Sequence, residues 1–206
     1  MFALVQDGSI TKYLNGNRGI TIGDVQYPQS IYTLWSAAER EAIGIYEVEY
    51  DNTNQKDEQW YTNTNQSFAF ASGKVTGSYG SATAKAHADT TWTQEDSDDG
   101  LMPSNQSIGD IKTRGLKYNL IQKVKAQAAG ILQNTDWYVV RKADAGTAVP
   151  SAITTHRAAV RTKAAEQETA ITNAADTPAL ETLYTYTKQE DDSVTRPLGE
   201  LPTLNS

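Results

Sequence analysis

The sequence predicts an α+β protein that has a small antiparallel β-rich domain, then an α-helical module and finally an extended C-terminal tail. The first hundred residues fall into short β-prone runs separated by Gly, Asn and Asp, whereas apolar residues recur at helical spacing after them. The end of the chain is polar and contains two prolines. We therefore expect the β-rich domain at 1–100, the helical module at 101–184 and the tail at 185–206.

Composition limits the classes of function that remain open. The chain has 206 residues, a formal net charge of −7 and no cysteine, so disulfides and cysteine-bound metals are excluded. Residues 1–100 carry 6 Lys or Arg against 14 Asp or Glu, an acidic balance that argues against nucleic-acid binding because phosphates would be repelled. We expect no membrane partner, because no apolar run approaches the length of a membrane span.

Local signals mark turns and helix ends in the first half. Asp7–Gly8 lies between two β-prone runs, which is typical of a tight hairpin, and Ser72–Gly73 is expected to join two later strands. Ser36 and Glu39 have the spacing of a capping box, which predicts a helix that begins there. Gly44 fits the left-handed position at the end of that helix.

The second half is predicted to be helical. An apolar stripe starts near Ile108, a short helix begins after Asn134 or Thr135 as its cap and ends at Gly146, and further helices follow Pro150 and the Thr177–Pro178 pair. The helix after Pro150 has a narrow apolar seam, which favours packing inside the domain over a coiled-coil contact. The members of the first stripe are Ile111, Leu116, Leu120, Val124, Ala128, Ile131 and Leu132, and those of the seam are Ile153, Val160, Ala164, Ile171 and Ala174.

No pattern of catalytic or metal-binding residues stands out, so we assign no catalytic residue, no cofactor and no metal ligand. His87 and His156 lie far apart in sequence and are expected to be exposed structural residues. The acidic run 96–100 is similar to part of a calcium loop, but Gln106 stands where an EF-hand requires Glu. A solvated acidic loop is therefore favoured over an irregular Ca²⁺ site.

Aromatic residues and the tail are candidate contact features. We assign Trp35 and Trp137 to core packing, whereas Trp92 lies in a weakly patterned stretch and suits contact with another chain equally well. Residues 185–206 hold too little apolar surface to fold alone, so we expect a partner to order them.

One set of residues resembles a known family. The stretch Leu132-Gln-Asn-Thr-Asp-Trp137, followed by a Gly, a Pro and a helix with Arg157 and Arg161, resembles the C-terminal module of bacteriophage tail-fibre assembly proteins. The opening run 2–8 and the helix-to-strand run 35–48 are similar to the first half of such proteins. His156 stands where the family commonly has an aromatic residue.

The resemblance implies a non-enzymatic phage tail protein that binds tail-fibre chains and assists their assembly or attachment in the host cytoplasm. The alternative is a permanent virion subunit at the baseplate or the fibre base. Its expected partners are tail-fibre or baseplate proteins, with a second copy of the chain as a further candidate. A glycan hydrolase is a third hypothesis and would need two converging carboxylates in a cleft.

The expected site is the junction between two helices of the helical module. We assign Trp137, Tyr138, Arg157 and Arg161 to it, with the indole of Trp137 wedged between two helices and the arginines available to pair with acidic groups. Trp92 is assigned to partner contact.

Overall fold

A computed structural model describes residues 1–204 of the chain, so the last two residues of the predicted tail lie outside the described residues. The chain forms two compact units, Met1–Thr83 (unit 1) and Ala84–Ser206 (unit 2). Strands occur mainly in unit 1 and long helices only in unit 2, which confirms the predicted α+β class.

Unit 1 is built around a five-stranded sheet with the strand order β2-β1-β5-β8-β7. Its elements are β1 (Phe2–Gln6), β2 (Ser9–Leu14), β3 (Ile20–Ile22), β4 (Val25–Tyr27), α1 (Ile31–Leu34), α2 (Ala37–Ala42), β5 (Ile45–Asp51), β6 (Tyr61–Thr62), β7 (Ser67–Ala71) and β8 (Lys74–Ser78); β9 (Thr83–Ala84) lies at the boundary between the units. Neighbouring strands are antiparallel except β5 and β8, which run parallel. The sheet is therefore mixed rather than antiparallel throughout, because the chain crosses over through residues 52–66 before it returns as the β7–β8 hairpin.

The turns of unit 1 follow the sequence signals. Asp7 and Gly8 have φ angles of 50° and 73°, and Ser72 and Gly73 have 52° and 76°, as two-residue hairpins of the right twist require. Ser36 and Glu39 form the predicted capping box, and Gly44 has a φ angle of 81°. These four predictions are confirmed.

Both faces of the sheet in unit 1 are buried. Alternate residues of β1 point to opposite sides, so Leu4 belongs to one apolar cluster with Ile31 and Ile45, and Ala3 belongs to the other with Val75. The edge strands β2 and β7 approach each other through their rings. The centroids of Tyr13 and Phe68 lie 5.0 Å apart, which shows that the sheet curls strongly around the second cluster.

Unit 2 is a helical assembly with two small strand pairs. Its elements are β10 (Thr90–Thr91), α3 (Gln94–Asp98), β11 (Ile111–Thr113), α4 (Leu116–Gln133), α5 (Asp136–Ala145), α6 (Ser151–Asn173), α7 (Thr177–Tyr184), β12 (Thr187–Lys188) and β13 (Val194–Thr195). The run 108–115 was predicted to be helical, but it forms β11 and the turn before α4. It pairs antiparallel with β10, and that long-range pairing overrides the local apolar spacing.

Helices α4 and α6 form the core of unit 2. The side chain of Lys117, at the start of α4, donates to the Thr172 carbonyl at the end of α6 across 2.9 Å, so the two helices run antiparallel. All five predicted seam residues of α6 are buried, and His156 and Gln167 lie in the same seam. The seam therefore packs inside the unit. The prediction that His156 is exposed is wrong. It lies three positions after Ile153 and four before Val160, so helical spacing places it in the same contact.

The boundary between the units lies near residue 83 and not near residue 100. Segment 84–89 belongs to unit 2 because its carbonyls hold the starts of two helices. The amides of Leu116 and Lys117 donate to the carbonyls of Ala86 and His87 across 3.0 Å each, and the Thr177 hydroxyl donates to Lys85 O across 2.6 Å. The polar composition of this segment gave no signal from which these backbone contacts could be predicted.

The carboxylate of Asp89 binds the first turn of α4 from a distance of 26 positions. It accepts from the Gly115 amide at 2.7 Å and from the Arg114 guanidinium at 2.6 Å. The hydrogen bond from Gly115, followed by the one from Arg114, lowers the pKa of Asp89 from its ordinary value. The ionised carboxylate thus replaces the side-chain cap that Gly115 cannot supply.

We expect Asp89→Ala to lower the stability of unit 2 at neutral pH. Because the pKa is lower in the folded state, the stabilisation is present above the unfolded-state pKa of about 4 and is lost as the pH falls through the folded-state pKa. Thermal unfolding at pH 7 and at about pH 3 should therefore show a difference from the parent chain that shrinks in acid. Glu190→Ala, at an exposed position, is the control; an equal loss at both pH values would contradict this account.

The predicted extended tail instead folds against its own unit. β12 and β13 pair antiparallel, and Leu198 is only 3% exposed. The amide of Leu198 donates to Leu183 O at 3.0 Å, and the buried Gln167 side chain donates to Gly199 O at 2.9 Å. One leucine and one buried amide thus hold the segment against its own unit, which corrects the expectation of an extended tail.

The acidic run also has regular structure. Thr93 and Asp96 form a capping box that starts α3, so the expected loop is a short helix. Among residues 1–204, no group of three or more His, Asp or Glu side chains is placed to hold a metal ion. Within the same residues, no helix has the length and apolar character that a membrane span requires.

Candidate partner-binding site

Four residues of the tail-fibre resemblance meet at the turn between α4 and α5. One terminal nitrogen of Arg157, on α6, donates to Leu132 O at 2.7 Å and to the Thr135 hydroxyl at 2.7 Å. The same nitrogen lies 2.8 Å from a carboxylate oxygen of Asp136. We call Leu132, Thr135, Asp136 and Arg157 the corner. A single guanidinium thus fixes the end of α4, the start of α5 and the first third of α6 relative to one another.

Thr135 has a larger role in the corner than its sequence position indicated. It precedes α5 as expected, but its side chain makes no capping hydrogen bond. Instead its hydroxyl donates to Leu132 O at 2.9 Å and accepts from Arg157, and the residue is 3% exposed. A buried hydroxyl with both functions satisfied specifies one geometry for the turn. The spacing of the Leu-x-x-Thr-Asp motif was the available signal for this role.

Trp137 lies outside the contact between the helices. It is 51% exposed, so its assignment to core packing, as an indole wedged between two helices, is wrong. Its ring stacks on that of Tyr138 at 3.8 Å between centroids, and the Arg141 guanidinium lies 4.6 Å from the Trp137 centroid. We call Trp137, Tyr138 and Arg141 the ring stack. The physical reason is that α5 buries none of its residues, so no other helix among residues 1–204 covers the face that carries Trp137.

Arg161 lies one turn of α6 beyond Arg157 and does not join the corner. It is exposed and lines an open groove of about 420 Å³ together with Arg157. Val139 and Lys142 of α5 and Val149 of the following loop form other parts of the wall. We call this the basic groove. The structure therefore brings Arg157 and Arg161 to one groove, while Trp137 and Tyr138 form the neighbouring ring stack on α5.

Trp92 lies in a separate part of unit 2. It is half-buried beside β10, where its amide donates to Asp110 O and its carbonyl accepts from Gly109. The Lys112 ammonium lies 4.8 Å from its ring centroid and also pairs with Asp96. Trp92 thus anchors the segment 90–113, and within residues 1–204 no contact joins it to the corner.

Comparison of the chain with protein-family models, with curated proteins and with solved structures gave no match. The resemblance to tail-fibre assembly proteins therefore depends on the motif residues alone.

Proposed function

We propose that this chain is a non-enzymatic bacteriophage tail protein that binds tail-fibre chains and assists their assembly. Slowly folding fibre chains expose apolar surface and unpaired strand edges, and a protein that covers these surfaces limits their aggregation. The proposed site of action is the host cytoplasm during phage assembly, and the proposed partner is a tail-fibre chain.

The observation that carries the proposal is the convergence of the motif residues at the corner. Leu132, Thr135 and Asp136 come from one half of the motif and Arg157 from the other, 21 to 25 positions away, and all four meet within hydrogen-bond distance. These bonds join the two halves of the motif into one bonded unit. The motif therefore has a definite structural task, which is to hold α5 at a set angle.

The surface that α5 presents suits a protein partner. Trp137 is 51% exposed and Val140, three positions later on the same face, is 65% exposed. Trp and Arg dominate the binding energy of protein interfaces because they combine large apolar area with polar groups. Arg141 is held against the rings, so this face loses little side-chain freedom when a partner covers it.

Co-expression with the tail-fibre chain encoded by the same phage genome tests the proposal. We expect a complex that co-purifies and a higher yield of soluble fibre than without this chain. Trp137→Ala should weaken the complex at least about tenfold, as loss of an interface anchor does, while the helical circular dichroism stays unchanged.

Leu34→Ala is the matched control, because it removes an 80% exposed apolar side chain from unit 1. This variant should bind the fibre chain as tightly as the parent chain does. If the fibre chain neither binds this protein nor gains solubility from it, the proposed function is wrong. If both variants bind equally well, α5 is not the contact.

A permanent virion subunit remains the alternative role. The order of the tail favours neither role, because Leu198 and Gln167 hold it within unit 2. Mass spectrometry of gradient-purified particles separates the roles: a fixed stoichiometry in virions indicates a structural subunit, and absence from virions indicates a chaperone.

A further inference from the structure

We propose that the basic groove of one copy binds the acidic tip of the 90–113 segment of a second copy. The acidic tip consists of Asp98, Asp99 and Leu101. The proposal concerns self-association and is independent of any fibre partner.

The basic groove carries cations that the fold does not use. Arg157 is occupied by Asp136, but neither Lys142 nor Arg161 forms an ion pair within the part of the chain that the structure describes. The apolar part of the wall includes Val139, which is 46% exposed. The groove therefore offers two available positive charges beside an exposed aliphatic side chain, which matches a segment with carboxylates and one apolar side chain.

The acidic tip carries groups of the complementary kind. Asp98 is the last residue of α3 and Asp99 follows as its C-cap, where the negative end of the helix dipole disfavours carboxylates. Neither of them forms an ion pair among residues 1–204. Leu101 follows after Gly100, whose φ angle of 69° turns the chain, and it is 61% exposed. Asp98 accepts a hydrogen bond from the Gln94 side chain at 2.7 Å, but no cation neutralises either carboxylate among residues 1–204. A cationic and aliphatic partner would supply the missing charge and cover Leu101.

The segment that carries the tip is held firmly. Asp89 and Arg114 pair across its base, and Lys112 is fixed between the ring of Trp92 and Asp96. A segment held in this way loses little conformational entropy when its two carboxylates and its leucine bind a partner. If two copies use groove and tip reciprocally, the contact closes a two-fold dimer.

Sedimentation velocity on the purified full chain tests this contact without any phage partner. We expect reversible self-association between about 5 and 500 µM, weakened by added salt because the contact pairs charges. The groove variant carries Lys142→Glu and Arg161→Glu, and the tip variant carries Asp98→Lys and Asp99→Lys. Each variant alone should dimerise at least about tenfold more weakly, since like charges would then face each other.

Mixing the two variants provides the decisive result. The groove variant then has an acidic groove that suits the basic tip of the other, so hetero-association should return to within about threefold of the parent. A control with Lys12→Glu and Lys123→Glu makes the same change in net charge at exposed sites elsewhere and should associate as the parent does. A parent chain that stays monomeric, a control that weakens equally, or a mixture that fails to associate would each overturn the proposal. None of these results bears on fibre binding, so the two proposals fail separately.

Discussion

Arg157→Ala is expected to lower the free energy of unfolding of unit 2 by about 2–3 kcal/mol. The guanidinium donates to Leu132 O and to the buried Thr135 hydroxyl, and each such charge-assisted bond typically contributes more than a neutral one. The ion pair with Asp136 adds little, because the Asp136 side chain is about half exposed and water screens it. Alanine would leave the hydroxyl and the carbonyl in the corner with one partner fewer.

Hydrogen exchange measured by mass spectrometry separates this effect from changes in unit 1. We expect faster exchange across α5 and the first turns of α6, while the β1–β5 region is unchanged. Arg161→Ala is the matched control on the same helix, because it removes an exposed arginine that has no ion pair among residues 1–204. It should change stability by less than about 0.5 kcal/mol. Equal losses from both variants would show that Arg157 does not organise the corner.

Gly44→Ala is expected to cost unit 1 about 3 kcal/mol. Gly44 has a φ angle of 81°, where an L-residue with a side chain is strained by about 1–2 kcal/mol. A Cβ there would also lie 2.6 Å from the carbonyl oxygen of Val5, which is backbone of the interior strand β1. Because β1 is paired on both sides, it cannot move away cheaply, and such overpacking adds about 1–3 kcal/mol.

Gly73→Ala separates the two causes. Gly73 has a similar φ angle of 76°, but nothing lies within 4 Å of a Cβ added to it. It should therefore cost only the backbone strain, about 1–2 kcal/mol. Local exchange rates of β1, β5 and β8 measure both effects, and a Gly73 variant as unstable as the Gly44 variant would show that the contact with Val5 contributes nothing.

Features that depend on neighbouring residues could be predicted from the sequence. The hairpins at Asp7–Gly8 and Ser72–Gly73, the capping box at Ser36 and the turn at Gly146 need only a few adjacent residues, so their signals are contained in short stretches. The seam of α6 was also predicted correctly, because the helical period places its apolar residues on one face whichever partner covers them.

The candidate site was predicted only in part. Arg157 was assigned to the expected site, and the structure gives it three contacts in the corner, with Leu132, Thr135 and Asp136. Trp137 was assigned to the core from its size alone, yet its burial depends on whether another element covers α5, and none among the described residues does. Arg141 was missed, because its contact with the rings appears only once α5 sets them side by side.

The sequence alone determined the fold class, the main turns and caps, and which face of α6 is apolar, because these depend on local backbone preferences and on helical period. Tertiary structure decided where unit 2 begins, where the end of the chain packs and which motif residues touch. Those outcomes rest on pairings between distant positions, such as Asp89 with Gly115 and Gln167 with Gly199. A distant pairing forms when the whole chain brings two groups together, and no short stretch of sequence contains that information.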